Sequence, residues 1–199
     1  MSSARPRPTL DRPDWWALWE IAHAQAGHFT TRDAKDCRIS SALLSQNVRS
    51  EVVVGVERGI YRFKTFPLHP QASLVVRWLW TGREGIFSHE TALSLHGLSD
   101  ILPNFTVMTV PQSWARRRVR VPEGVELRPA AWSDAEVEWV GAVPATSPLR
   151  TVVDCAQVGV SRDLVDEAIA QGIQRGMFTR ARLREALRRV TPPRKGGGR

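Results

Sequence analysis

The sequence predicts an α+β protein on three observations. Residues 29–63 carry two short helical patterns followed by a two-stranded β pattern. Residues 105–143 alternate as short strands around turns. Residues 146–190 return to helical periodicity, with apolar side chains three and four apart.

The N-terminal elements follow one another closely. Asp14 is placed to cap a helix whose apolar stripe is Trp15, Leu18, Trp19 and Ala22, and Gly27 ends it. Thr30 with Asp33 three residues on reads as a capping box, which predicts a helix over 31–36. Cys37, Arg38 and Ile39 form the turn. Ser40 or Ser41 then caps a second helix. There Leu44 and Val48 face a core, with Leu43 alongside, while Ser41, Ser45 and Arg49 share another face with Gln46 and Asn47 beside it. The β-branched run 51–56, a turn at 57–59 and a return over 60–63 predict a hairpin.

Helix, turn, helix and hairpin in that order are a winged helix-turn-helix, whose second helix enters the DNA major groove. Short hydroxyls, an amide and guanidinium groups suit contacts to base edges and phosphates. The candidate DNA-binding residues are Thr31, Arg32, Arg38, Ser41, Ser45, Gln46, Arg49, Arg58, Arg62 and Lys64, the last three beside the phosphate backbone. The helix taken alone also fits an ordinary solvated face.

Composition sets bounds. The chain has 199 residues, enough for one large or two small domains. Its formal charge of +8 is concentrated in residues 175–199, which hold nine basic residues and one acid, Glu185. Such a terminus favours a polyanionic partner or serves as a solubilising tail. No apolar run approaches the roughly 20 residues that span a bilayer. Cys37 and Cys155 stand far apart, without C-x-x-C spacing, as in a cytoplasmic protein with reduced thiols. The expected division is a disordered arm at 1–13, the winged domain at 14–66, an α/β domain at 67–190 and a basic tail at 191–199.

Beyond the hairpin, a helix is predicted over 70–80 and a second over 88–96, capped by Ser88 and closed by Gly97. Strands are predicted over 105–110, 116–121, 125–128 and 137–143. Ser147 and Pro148 start a further helix as N-cap and first residue. Helices over 162–175 and 179–190 complete the chain. On a strand Arg116, Arg118 and Arg120 point one way and Arg117 the other. They form a second basic surface or a charged edge strand that discourages aggregation.

Catalytic patterns are missing. H-E-x-x-H fails because position 93 is Leu, and His89 and His96 find no third ligand. A metal-dependent nuclease needs paired carboxylates and a lysine, but the lysines are only Lys35, Lys64 and Lys195, none in an E-x-K arrangement. No phosphate-binding G-x-x-x-x-G-K-[ST] loop or G-x-S-x-G elbow occurs. The expectation is a protein that is not an enzyme and uses no metal or cofactor.

Three segments carry a family resemblance. Arg58-Gly59-Ile60-Tyr61-Arg62 is similar to an "RGVYR" return of the wing, and residues 88–98, SHETALSLHGL, to "SHxSALxLHGL". Residues 146–154, TSPLRTVVD, are similar to "TSPxRTLVD". Together, over about residues 15–190, the chain resembles the AbiEi-type antitoxins of type IV toxin–antitoxin and abortive-infection loci. That resemblance implies a winged domain that binds double-stranded promoter DNA and represses its own operon. It also implies a second domain that counters a cognate nucleotidyltransferase-like toxin without a stable complex. An RNA- or protein-binding module that engages the toxin or its RNA substrate, or a plain transcriptional regulator, is the alternative. Many relatives continue into a nuclease-like domain that this sequence does not contain.

Overall fold

The computed structural model describes residues 12–100 and 102–190. The expected arm, apart from Arg12 and Pro13, and the expected basic tail lie outside the described residues. Those residues form a mixed α+β protein with helices, one three-stranded sheet and one five-stranded sheet. The chain divides into two compact units. One runs to Arg83 and includes Gly141–Val143; the other holds the rest.

The first unit is built from α1 (Trp15–Ala24), β1 (His28–Thr30), α2 (Thr31–Asp36), α3 (Ser41–Arg49), β2 (Val53–Glu57), β3 (Ile60–Phe63) and α4 (Ala72–Trp80). Each helix start has a local cause. The Asp14 carboxylate accepts from the Ala17 N–H at 2.9 Å and begins α1. Thr30 and Asp33 close the capping box of α2: Thr30 Oγ1 accepts from the Asp33 N–H, and Asp33 Oδ2 accepts from the Thr30 N–H. Arg38 turns the chain between α2 and α3 at φ +60°, and Ser40 caps α3. The strands run in the order β1–β3–β2, all antiparallel, with a bulge between Gly55 and Glu57. Strand β1 is too short to show as a pattern in the sequence, so only the hairpin partners were expected.

Leu18, Ala22, Phe29, Leu44, Val53 and Phe63 form the buried core of this unit. Aromatic rings bind it together: Phe29 and Trp19 each lie 5.0 Å from Phe63. Trp15 and Trp19 pack against the core as expected, whereas Trp16 faces outward. The unit continues past the expected boundary at residue 66. Helix α4 packs on β1 and β3 and buries Val75, Val76, Trp78 and Leu79.

The second unit holds β4 (Ile86–Phe87), α5 (His89–Leu95), β5 (Thr106–Val110), β6 (Val125–Pro129), β7 (Val137–Val140), β8 (Val143–Thr146), α6 (Pro148–Gln157), α7 (Arg162–Gln174) and α8 (Arg180–Val190). Its sheet has the order β6–β5–β4–β8–β7. The sheet is mixed: β4 runs antiparallel to β5 and parallel to β8, and β5 runs parallel to β6. Leu93, Leu98, Val152, Val153, Val165, Ala168, Phe178 and Leu183 form the helical core.

Three expectations are corrected here. The run 116–121 is not a strand: Arg116 ends a short 3-10 helix, Gln112–Arg116, and residues 117–121 are irregular. Pro111 starts that turn, and the buried Trp114 anchors it by donating to Glu84 Oε2 at 2.6 Å. The stretch 137–143 is two strands, β7 and β8, divided at Gly141, whose φ of +64° suits a residue without Cβ. Ser88 and Ser147 stand at their N-cap positions but make no side-chain cap bond. Ser88 Oγ instead meets His89 Nδ1 at 2.9 Å.

Candidate nucleic-acid interface

Helix α3 presents the centre of the candidate interface. Leu44 is buried and Leu43 and Val48 half-buried, which turns Ser41, Ala42, Ser45, Gln46 and Arg49 outward. Among the described residues the side chains of Ser41, Ser45, Gln46 and Arg49 have no hydrogen-bond or ion-pair partner, so all four are available. No acid occurs between Asp36 and Glu51. Arg58, exposed beside the hairpin turn and equally unpaired among the described residues, is the fifth available candidate.

The other five candidates are already engaged within the unit. Thr31 Oγ1 donates to the Gly59 carbonyl at 3.3 Å, tying α2 to the hairpin turn. Arg32 lies 3.9 Å from Asp36, a solvent-exposed pair that a phosphate can displace. Arg38 donates to the Arg12 carbonyl at 3.2 Å and sits 3.7 Å from Asp14. Arg62 is half-buried on the central strand and donates to the Phe66 carbonyl at 2.9 Å. Lys64 pairs with Glu51, and this bond holds the Glu51 carboxyl below its usual range.

These pairs also quiet the acids around the hairpin. Glu51 is matched by Lys64 and Glu57 by Arg77 of α4. Sequence spacing does not disclose such pairs, because the partners come from different elements. The same holds for Arg83, which donates to Gln25 Oε1 at 2.6 and 2.8 Å and to Asp33 Oδ2 at 2.6 Å.

The second basic surface is divided in the same way. Arg117 stacks on the Trp114 ring, 4.6 Å from its centroid, and lies 3.0 Å from Glu84. Hydrogen bonds from Trp114 and then Arg117 hold the Glu84 carboxyl low. Arg116, Arg118 and Arg120 are exposed and unpaired among the described residues. They do not form the ladder of a strand.

The two family-like segments of the second unit meet each other. His96 Nε2 donates to the Thr146 carbonyl at 2.7 Å, and the Thr146 and Thr151 hydroxyls lie 2.6 Å apart. Arg175 donates to the carbonyls of His96 and Gly97 at 2.8 and 2.9 Å. Arg150 bridges Asp154 at 2.7 Å and Glu136 at 2.9 Å. The spacing of Arg150 and Asp154, one helical turn apart, would have disclosed the first of these pairs. Burial lifts the Asp154 carboxyl against the pull of Arg150. His89 is buried at φ +53°, and burial, with Arg128 and Arg150 nearby, lowers its pKa to about 4. His89 and His96 do not converge on a metal: among the described residues no group of three or more His, Cys, Asp and Glu could hold one. Nor is any helix of the described residues long and apolar enough to cross a membrane.

The fold and surface define a mixed α+β protein with a polar helix face in its first unit that is unpaired among the described residues. No family model and no curated protein matches the chain. Among solved structures it is similar to the RV2827C protein from Mycobacterium tuberculosis, with 17% identity and a TM-score of 0.53 over 92% of this chain and 74% of that one. At that identity the likeness shows the fold alone.

Proposed function

We propose that the first unit is a winged helix-turn-helix that binds double-stranded promoter DNA, with α3 in the major groove and Arg58 on the adjoining backbone. One observation carries this reading: Ser41, Ser45, Gln46 and Arg49 form an outward face with no acid and, among the described residues, no internal partner. A helix held by a cap at one end and a buried leucine inside can offer such a face without rearranging. Gln46 and Arg49 are the residues to read base edges, and Arg58 positions the complex. The resemblance of residues 88–98 and 146–154 to AbiEi-type segments extends the reading to an autoregulating antitoxin of a type IV system. Its functional partner is a nucleotidyltransferase-like toxin. The protein is then a binding protein and not an enzyme, and acts in the cytoplasm.

Mobility-shift titration of the full chain on its own upstream DNA at fixed salt tests the interface. Arg49→Ala and Arg58→Ala are expected to weaken binding at least tenfold. Undiminished affinity in both variants removes α3 and the hairpin from the interface. Co-expression with the neighbouring toxin gene tests the antitoxin half, and unrelieved growth arrest overturns it.

A second reading has its own observation. Arg116, Arg118 and Arg120 are exposed and unpaired among the described residues. They fit an RNA- or protein-binding role that engages the toxin or its RNA substrate, for which co-purification with the toxin is the measurement.

A further inference from the structure

Helices α7 and α8 of the second unit both pack on α6 and frame a groove of about 560 Å³. Its floor and its α7 wall are apolar: Leu183 is buried, Ile169 and Ile173 are half-buried and Ala170 is exposed. Neither the DNA reading nor the family-like segments 88–98 and 146–154 use this face.

The two framing helices carry opposite charge. Helix α8 holds five arginines and one acid, Glu185, which pairs with Arg189 at 2.5 Å. Arg180, Arg184 and Arg188 recur one turn apart, about 6 Å along the axis, and are exposed and unpaired among the described residues. Arg180 and Arg184 line the groove. Helix α7 holds three acids, Asp163, Asp166 and Glu167, and one arginine, Arg162. The acids share a face by their spacing, and Asp166 lines the groove opposite the arginines. Their own contacts are loose: Arg162 lies 3.7 Å from Asp166, and Gln171 donates to Glu167 at 3.2 Å, both at the exposed surface. Exposed pairs of this kind contribute little and can be replaced.

An acidic helix and a basic helix on either side of one apolar groove make this face complementary to itself. Under a two-fold axis, α7 of one copy meets α8 of the other twice, so each acidic edge finds an arginine edge. Other occupants match only part of it. Nucleic acid suits the arginines but meets the acids of α7 and leaves the apolar floor uncovered. Residues 191–199 of the same chain carry Arg194, Lys195 and Arg199 and no acid, which does not suit the arginine edge.

We infer that this face joins two copies of the chain, with α7 of each copy against α8 of the other. Ile169, Ala170 and Ile173 then cover Leu183 of the second copy, and Asp166 and Glu167 face Arg180 and Arg184. The apolar contact supplies the attraction, and the charges fix the alignment and reject others. Two short helices per copy make an interface at the small end of the specific range, so association rises with concentration. The inference is independent of the DNA interface in the first unit.

Sedimentation velocity of the nuclease-treated full chain, from low micromolar to millimolar concentration, tests it. Physiological salt confines charge effects to close contacts. A shift toward twice the mass of one chain is expected as concentration rises. Arg180→Glu with Arg184→Glu, and separately Asp166→Arg with Glu167→Arg, should each weaken self-association at least tenfold; all four positions are exposed. An equimolar mixture of the two variants should restore it, because both contacts again join acids to arginines. Recovery in the mixture also separates loss of the contact from loss of the fold. The inference is overturned if the parent keeps the mass of one chain up to millimolar concentration. It is equally overturned if either variant associates as the parent does, or if the mixture stays dissociated.

Discussion

Arg83 reaches Asp33 at 2.6 Å, and Asp33 is the residue that closes the capping box of α2. One carboxylate therefore serves a helix start and an ion pair from a residue fifty positions away. Asp33 is nearly buried. Removing it leaves the Thr30 N–H without its acceptor and the buried side of the Arg83 guanidinium with Gln25 but no counter-charge. Asp33→Ala is expected to destabilise the first unit by about 2–3 kcal/mol, combining a lost cap with a broken buried pair. Arg83→Ala should cost less, about 1–2 kcal/mol, because the capping box survives. Urea denaturation followed by tryptophan fluorescence measures both; equal losses would show that the cap contributes nothing.

His89 makes stability depend on pH. Its folded pKa of about 4 lies below the ordinary 6.5, so the unfolded chain takes up the proton first as pH falls. The contribution of neutral, buried His89 is complete above pH 6.5 and declines as pH drops toward 4. It amounts to about 3 kcal/mol over that window. His28, also held low by burial, acts in the same direction. His89→Asn tolerates the left-handed backbone and removes the titration. Melting temperatures between pH 7 and 4.5 should fall less steeply in the variant than in the parent.

Gly172 in α7 shows propensity losing to packing. A Cβ there would lie 2.4 Å from the ring of Phe178, which is buried and would have to shift. Alanine would favour the helix by about 1 kcal/mol. Overpacking of a filled core costs about 1–3 kcal/mol. Gly172→Ala is therefore expected to lower the melting temperature, and Gly172→Ala combined with Phe178→Leu to recover part of the loss.

Both cysteines should be inert in the folded protein. Cys37 and Cys155 are buried, and burial raises both thiols above their ordinary pKa. A thiol reagent such as DTNB should label neither at neutral pH until denaturant is added, and then two per chain. Rapid labelling without denaturant would contradict the packing around them.

Within the candidate interface, the structure ranks positions that the sequence treats alike. Arg49→Ala and Arg58→Ala should each lower the salt-dependence slope of DNA binding by about 1 where they contact phosphate. Lys64→Ala should do less, because Lys64 is held by Glu51. Arg62→Ala should chiefly lower stability, because that side chain ties β3 to the Phe66 carbonyl. Affinity against salt, with melting temperature alongside, separates these effects.

Much of the fold is legible because its signals are local. Thr30 with Asp33, Ser40 before α3 and Pro148 at the start of α6 each set a helix end within four residues. The two-residue strand β4 carries no such signal, and it exists because β5 and β8 flank it. The arginine run misleads for the same reason: its alternation fits a strand, but Trp114 bonded to Glu84 holds the chain in a turn. At the candidate interface, helical spacing marks the outward face of α3. It does not show that Arg62 and Lys64 are already engaged, since their partners lie on other segments.

The pairing of Phe87 with Ala145 sets an order of events at the ribosome. Strand β4 cannot acquire its parallel neighbour until β8 has left the exit tunnel. The helices and hairpin of the first unit are complete by Arg83, long before that point. Domains generally fold as units, the N-terminal one first, during synthesis. The nascent chain thus carries a finished polar helix face while half of its larger sheet still waits for a partner. A ribosome stalled with β5 outside the exit tunnel and β8 still within it would display the folded helices and hairpin of the first unit and an open β4 edge, the stage at which this protein most needs protection from aggregation.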